Sequence, residues 1–202
     1  MIMTKGVRRF ALTSHVTSSV GWLGAVVAYL AVASVGLTSA DEQLVRSAYL
    51  MTELLIRFVI VPISFAALLT GLVQSLGTEW GLFRHYWVAT KFILTVIATI
   101  ILVIHMQTVS HVSAIAAGTS LSTSDYDTMR LQMVVHAAGG LIVLLTATTL
   151  SIYKPWGKTA YGRKQEAGAP TPMRASSVAL VLIAVVVVLA LLLHLGGRMH
   201  QH

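Results

Sequence analysis

The stretch Trp87–Met106 reads WVATKFILTVIATIILVIHM and holds two ionisable side chains, Lys91 near its start and His105 near its end. It has the length of about 20 residues that a helix needs to cross a hydrocarbon core of roughly 30 Å. Four further apolar stretches are at least as long, namely Ala11–Val35, Leu50–Leu76, Leu131–Ile152 and Ala175–Leu195. Such continuous runs are typical of membrane helices, because the strands of a barrel alternate in polarity. The sequence therefore predicts an all-α integral membrane bundle of five transmembrane helices.

The composition supports a surface that faces lipid. Hydrophobic residues make up 56% of the chain and charged residues 10%, against about 25% charged residues in soluble domains. The absence of cysteine excludes disulfides, thiolate metal sites and thiol catalysis. A formal net charge of +7 does not indicate nucleic-acid binding here, because the basic residues lie beside the apolar stretches, where they set orientation. We therefore expect the lipid bilayer as the partner and no nucleic acid.

The charges of the loops predict a direction for the chain. One set of loops is basic and holds Lys5, Arg8, Arg9, Arg84, Lys154, Lys158, Arg163, Lys164 and Arg174. By the positive-inside rule the N-terminus is cytoplasmic and the C-terminal tail lies outside, in a bacterial plasma membrane. Residues 1–153 form a four-helix core, and 154–174, rich in Gly and Pro, is predicted to be a flexible basic linker. Residues 175–202 supply the fifth helix and a short tail that contains histidine.

The first apolar stretch follows basic residues and loosely resembles a secretory signal. It is longer than the usual signal core of about 7–15 residues. It also carries His15, Trp22 and Tyr29 at seven-residue steps, which places the three on one face of a helix. These features favour a retained membrane helix.

Ionisable residues inside a membrane are functional candidates by default. His15, near the start of the first helix, and Lys91, near the start of the third, define an inner layer. Each also has a structural interpretation. Lys91 could extend to the cytoplasmic interface, and His15 could bond a helix carbonyl in the core.

The outer layer holds more candidate ligands. His105, near the outer end of the third helix, and His136, about a turn below the outer surface in the fourth, are predicted to lie side by side. Two facing imidazoles can supply both axial ligands of a haem b iron, and Gly139 and Gly140 would admit the flat macrocycle. Alternatively, these glycines allow close helix packing. Arg57 either pairs with Glu53 four residues earlier or binds a haem propionate.

A second ligand set occupies the same layer. Met106 adjoins His105, and Met129, Met133 and His136 form one stripe of the fourth helix. Thioether and imidazole ligands select Cu(I), whereas a methionine stripe is also an ordinary packing feature. Copper bound by these five residues is the alternative to haem.

The residues around the two layers resemble a known superfamily. The resemblance is carried by three motifs: ALTSHV at Ala11–Val16, VGWLG at Val20–Gly24 and YWVATKF at Tyr86–Phe92. This superfamily consists of small four-helix bacterial membrane proteins and includes the copper-resistance D proteins and the haem-b membrane protoporphyrinogen oxidases. In those oxidases a histidine of helix one and a lysine that opens helix three are the functional residues, which implies roles for His15 and Lys91. The His105/His136 pair and the fifth helix have no counterpart in that family.

A closer resemblance links residues 9–164 to uncharacterised actinobacterial multi-helix membrane proteins. It is carried by GLVQSLG at Gly71–Gly77 and GLFRHYW at Gly81–Trp87. It implies no particular activity, so three hypotheses remain at this point: a haem-linked protein with a redox partner, a copper-handling protein with a metal donor, and a non-catalytic structural subunit. Substrate turnover and oligomeric state are left open by the sequence.

Overall fold

The computed structural model describes residues 3–78, 81–118, 124–154 and 157–166. These residues are almost all helical, and no strand occurs among them. Four helical segments have the length and the apolar composition to cross a membrane. The all-α membrane bundle predicted from the sequence is confirmed, and the protein is a multi-pass membrane protein. The predicted fifth helix, Ala175–Leu195, lies outside the described residues.

The four spans are longer than the apolar stretches that predicted them. The first is α1 (Lys5–Thr38). The second, Glu42–Gly77, consists of α2 (Glu42–Leu55), a π-helical turn (Ile56–Ile60) and α3 (Val61–Gly77). The third and fourth are α4 (Tyr86–Ala117) and α5 (Ser124–Tyr153). Hydropathy marks only the part of a helix that matches hydrocarbon, whereas polar residues continue the helix beyond it.

The second span begins with a side-chain cap and changes its winding halfway. The Asp41 carboxylate accepts hydrogen bonds from the backbone N–H groups of Gln43 and Leu44, which satisfies two donors of the first turn. The π-helical turn directly precedes Val61 and Pro62. Proline has no N–H to donate and crowds the preceding turn, and a π-turn is one way in which a helix accommodates such a break.

The spans form a closed ring in which each helix packs on the next and α5 returns to α1. Consecutive spans run in opposite directions, and close contacts between them fix their register. An added Cβ at Gly21 would lie 2.6 Å from Ile63, and one at Gly36 would lie 2.9 Å from the Tyr49 ring. Glycine at these positions lets α1 approach the second span closely, as small residues do in membrane bundles.

Two arginines join helix ends at the side of the bundle opposite the start of α1. Arg46 donates to the carbonyl oxygens of Ala116 and Gly118 at the end of α4. Arg130 donates to the carbonyl oxygens of Gly36 and Leu37 at the end of α1. The last carbonyls of a helix lack partners within the helix and carry partial negative charge, so a guanidinium stabilises them.

The faces turned away from the ring are apolar. Large hydrophobic side chains are exposed on every span, for example Val20 at 65%, Phe58 at 68%, Ile104 at 59% and Ile142 at 65%. The interior contains a core cluster that includes Trp22, Tyr49 and Met133. An apolar exterior around an apolar core is the pattern that a lipid environment stabilises.

The described residues from Lys158 onward belong to a unit separate from the four spans. Its described part contains α6 (Ala160–Glu166), a short helix inside the segment predicted to be a flexible linker. The Thr159 hydroxyl accepts a hydrogen bond from the backbone N–H of Gly162, which caps the start of α6. The glycines and prolines of the segment predicted a linker, and they do not indicate this cap.

Candidate functional site

A cavity of about 320 Å³ lies inside the bundle and is lined by all four spans. Its volume falls at the lower end of the range of roughly 300–1,000 Å³ that ligand pockets occupy. The lining residues are Trp22, Val26, Tyr29, Ile56, Ile60, Ala98, Ile101, Leu102, His105, Val135, His136, Ala137, Gly139, Gly140, Val143 and Leu144. Both histidines of the predicted outer layer are among them.

The cavity lies deeper in the bundle than the sequence predicted for its histidines. His105 was expected near the outer end of its helix, but α4 continues to Ala117. At 1.5 Å per residue His105 is therefore roughly 18 Å from that end. His136 is likewise roughly 18 Å from the start of α5 at Ser124. The two histidines lie side by side as predicted, but neither lies near the end of its helix.

The His105 and His136 rings stack on each other. Their centroids are 4.5 Å apart and their planes differ by 13°. The His136 Nδ1 lies 2.8 Å from the Gln132 carbonyl oxygen, which only accepts, so Nδ1 is the donor of this hydrogen bond. His105 is 8% exposed, and its Nε2 is buried with no hydrogen-bond partner.

This stacking does not fit a haem held by both histidines. Two axial imidazoles direct their nitrogens at one iron from opposite faces of the macrocycle, so the macrocycle separates the rings. Here the rings lie face to face at 4.5 Å, with no space for a macrocycle between them. Ligation of one haem iron by both His105 and His136 stays a prediction that this arrangement does not support.

Besides the two histidines, Tyr29 is a polar residue of the cavity wall, and it was not among the predicted site residues. It is 3% exposed, and its hydroxyl is buried without a hydrogen-bond partner. Leaving a buried polar group without a partner costs about 1–3 kcal/mol. The seven-residue spacing of His15, Trp22 and Tyr29 was the available signal, since it predicted that the last two share a face. Both line the cavity.

The glycines of α5 leave open space at the cavity wall. An added Cβ at Gly139 or Gly140 would meet no atom within 4 Å. Among the described residues, no neighbouring helix lies within contact of these two positions, so close packing at Gly139 and Gly140 stays a prediction. Their absent side chains contribute to the cavity instead.

The cavity opens sideways between α4 and α5. Ile101 and Val135 line it and are also 47% and 58% exposed on the outer surface of the ring. His136 and Gly139 are exposed as well. The exposed lining residues Ile101, Val135 and Gly139 thus define a lateral opening of the cavity.

The methionines of the copper hypothesis do not line this cavity. Met133 is fully buried in the core cluster, and Met106 and Met129 pack against that cluster. Among the residues that the structure describes, no three His, Asp or Glu side chains lie together as a metal-binding group. Copper binding by the five residues named above stays a prediction, and the positions of the methionines fit packing.

Arg57 lies in the π-helical turn and faces α4 without lining the cavity. It forms an ion pair of 3.0 Å with Glu53 and donates to the Ser110 hydroxyl. The Ser113 hydroxyl donates to the other Glu53 oxygen over 2.6 Å. The structure thus contains the Glu53–Arg57 ion pair that the sequence predicted as one of two alternatives. A propionate contact from Arg57 to a ligand in the cavity is not supported.

The inner layer is separate from the cavity. The His15 Nδ1 donates to the Ala67 carbonyl oxygen over 3.1 Å, and the imidazole packs on Gly71. The Lys91 ammonium donates to the Ser151 hydroxyl over 3.1 Å and is close enough to His15 for an electrostatic interaction. The core hydrogen bond considered for His15 is thus present, and Lys91 is bonded within the bundle.

Comparison with protein-family models, with curated proteins and with solved structures finds no match to this chain. The superfamily resemblance therefore rests on the quoted sequence motifs alone. A function has to be argued from the geometry of the cavity and its surroundings.

Proposed function

We propose that this multi-pass protein of the bacterial plasma membrane takes a neutral, lipid-soluble molecule from the bilayer and holds it in the cavity between its four spans. The observation that carries the proposal is the pair of buried polar atoms without partners, Tyr29 Oη and His105 Nε2, in the wall of one apolar cavity. Such atoms are costly unless a bound molecule supplies their hydrogen bonds. A ligand would remove that cost and gain apolar contacts with the remaining wall.

The charge of the cavity wall supports a neutral ligand. Among the described residues that line the cavity, none is Asp, Glu, Lys or Arg. An ionised group would be left without a counter-charge at this depth, which is expensive in a low-dielectric interior. The lateral opening supports delivery from lipid, because the residues that define it, Ile101, Val135 and Gly139, are exposed and uncharged.

Photochemical labelling from the bilayer tests this proposal. The full chain in lipid nanodiscs is irradiated with a neutral alkylphenyl diazirine, and adducts are located by mass spectrometry. Lipid-facing side chains react in any case, whereas Trp22 and Tyr29 are 3% exposed and react only if the probe enters the cavity. We expect adducts on these two residues and their loss in Gly140→Leu, which fills open space in the cavity wall. Labelling confined to lipid-facing residues would contradict the proposal.

Gly24→Leu is the matched control for the filled cavity. Gly24 also has open space at its Cβ position but does not line the cavity. Adducts on Trp22 are expected to persist in this variant. Their loss in both variants would mean that the change in Gly140→Leu is not specific to the cavity.

Haem b is the second candidate ligand, in a form that uses one histidine. The observation that favours it is that His136 holds its Nδ1 on the Gln132 carbonyl oxygen, which leaves Nε2 to act as a ligand, beside the open positions of Gly139 and Gly140. A visible absorption spectrum of the purified protein decides between this candidate and a colourless ligand.

A further inference from the structure

The residues of the cavity wall narrow the chemical class of the ligand beyond the requirement that it be soluble in lipid. Four of the lining residues carry flat rings, namely Trp22, Tyr29, His105 and His136. Planar π-systems prefer stacked or edge-to-face contacts with other rings. The two glycines beside His136 present bare backbone, against which a flat molecule can lie.

The polar atoms define what the ligand must offer. The Tyr29 hydroxyl can donate one hydrogen bond, and the His105 Nε2 either donates or accepts according to its tautomer. Both atoms belong to the same cavity wall. A ligand with a single polar end satisfies one of them, whereas a ring with oxygen atoms at two positions can satisfy both.

The opening indicates where the rest of the molecule extends. A volume of about 320 Å³ accommodates a ring system and little more of a long lipid. The lateral opening at Ile101, Val135 and Gly139 leads to the hydrocarbon region, so an apolar tail can extend from the ring into the bilayer.

From these limits we infer that the cavity binds the head group of a quinone or quinol with an apolar tail, with Tyr29 and His105 as hydrogen-bond partners of the ring oxygens. The inference rests on the proposed function and names its ligand class. A quinone is neutral, as the uncharged wall requires, and its flat ring can stack on the aromatic side chains. Its apolar tail can leave the cavity through the lateral opening. A fatty acid, which brings a carboxylate and no ring, matches neither the charge nor the aromatic wall.

The test uses competition against the diazirine probe in nanodiscs with the full chain, read at the Trp22 adduct. The competitors are a methyl-1,4-naphthoquinone with a short prenyl chain, the naphthalene hydrocarbon with the same chain, and palmitate. We expect the quinone to protect Trp22 at a concentration roughly tenfold below that of the hydrocarbon, because only the quinone has hydrogen-bond acceptors. Palmitate is expected to protect least.

Two variants assign the hydrogen bonds. Tyr29→Phe removes one oxygen and His105→Phe removes the imidazole nitrogens. Each is expected to raise the half-protecting concentration of the quinone about fivefold and to leave that of the hydrocarbon unchanged. Tyr153→Phe is the matched control, since Tyr153 is 78% exposed and outside the cavity. Because Tyr29→Phe keeps the ring, the test does not depend on whether His105→Phe folds.

The outcomes separate the two proposals. Three results would overturn the quinone inference: equal protection by the quinone and the hydrocarbon, strongest protection by palmitate, or quinone protection that is unchanged in Tyr29→Phe. In each case the Trp22 adduct would still show that the probe enters the cavity. Absence of any Trp22 adduct in the unmodified chain would overturn the proposed function itself.

Discussion

The imidazole of His105 lies parallel to that of His136, with 4.5 Å between ring centroids, at the point where α4 and α5 border the cavity. Only His136 has a ring nitrogen hydrogen-bonded to its own helix, through the Gln132 carbonyl oxygen. The two histidines therefore differ in role although the sequence presented them as an equivalent pair. His136 lies at the exposed side, and His105 presents a buried, unpartnered nitrogen.

This relationship predicts the behaviour of any haem. If the protein purified in mild detergent from haem-replete cells shows a reducible Soret band, we expect the band to survive His105→Ala and to disappear in His136→Ala. His111→Ala, at an exposed position of α4, is the control and should change nothing. A band that requires both histidines would contradict the stacked arrangement.

Gly36→Ala is expected to destabilise the bundle. Its Cβ would lie 2.9–3.2 Å from three atoms of the Tyr49 ring, and Tyr49 is fully buried and has no room to move. Overpacking of this kind costs about 1–3 kcal/mol, measurable as a lower thermal midpoint in detergent. Gly24→Ala, in the same helix with open space, should be neutral or stabilising by up to about 1 kcal/mol. Equal effects would refute the close contact.

Arg130→Ala is expected to weaken the outer end of the bundle. The guanidinium donates to the Tyr49 hydroxyl over 2.8 Å and to the last carbonyls of α1, and it lies over the Tyr49 ring at 5.5 Å. Loss of hydrogen bonds from a charged group costs roughly 1.5–3 kcal/mol. The measurement is thermal unfolding in detergent, with Tyr49→Phe as the variant that removes only one of these bonds. A loss in Arg130→Ala no larger than in Tyr49→Phe would show that the α1 carbonyls contribute little.

The Glu53–Arg57 pair is expected to behave as a coupled unit. Each single variant, Glu53→Gln or Arg57→Gln, leaves one charge partly buried in the bundle without its partner. The double variant removes both charges, so it should be more stable than the sum of the single effects predicts, by about 1 kcal/mol or more. A double-mutant cycle on thermal unfolding measures this coupling. Additive effects would mean that the serines of α4, not the ion pair, hold these side chains.

The direction of the chain in the membrane is directly testable, because the protein has no native cysteine. We expect Asp41→Cys, between the first two spans, to react with a membrane-impermeant maleimide in intact cells. Lys5→Cys, at the start of α1, should react only after the cells are permeabilised. The reverse pattern would contradict the positive-inside assignment.

The spans could be predicted from the sequence because helix formation in lipid depends on local composition. A run such as Trp87–Met106 must satisfy its backbone hydrogen bonds internally, whatever surrounds it. The same reasoning predicted that His105 and His136 share a depth, since antiparallel neighbours of similar length keep a common register. It placed His105 too near the end of its helix, because hydropathy does not report the polar turns that extend α4 to Ala117.

What only the tertiary structure decided is how side chains from separate spans meet. Residue spacing put Trp22 and Tyr29 on one face, but only packing brought Tyr29 and His105 into one cavity. Packing also stacked the two histidines and enclosed Met133 in the core. The sequence by itself determined a bundle of membrane helices and the residues able to do chemistry within it. Ring orientation, cavity volume and the absence of hydrogen-bond partners arise from contacts between distant parts of the chain, so they followed only from the packed helices.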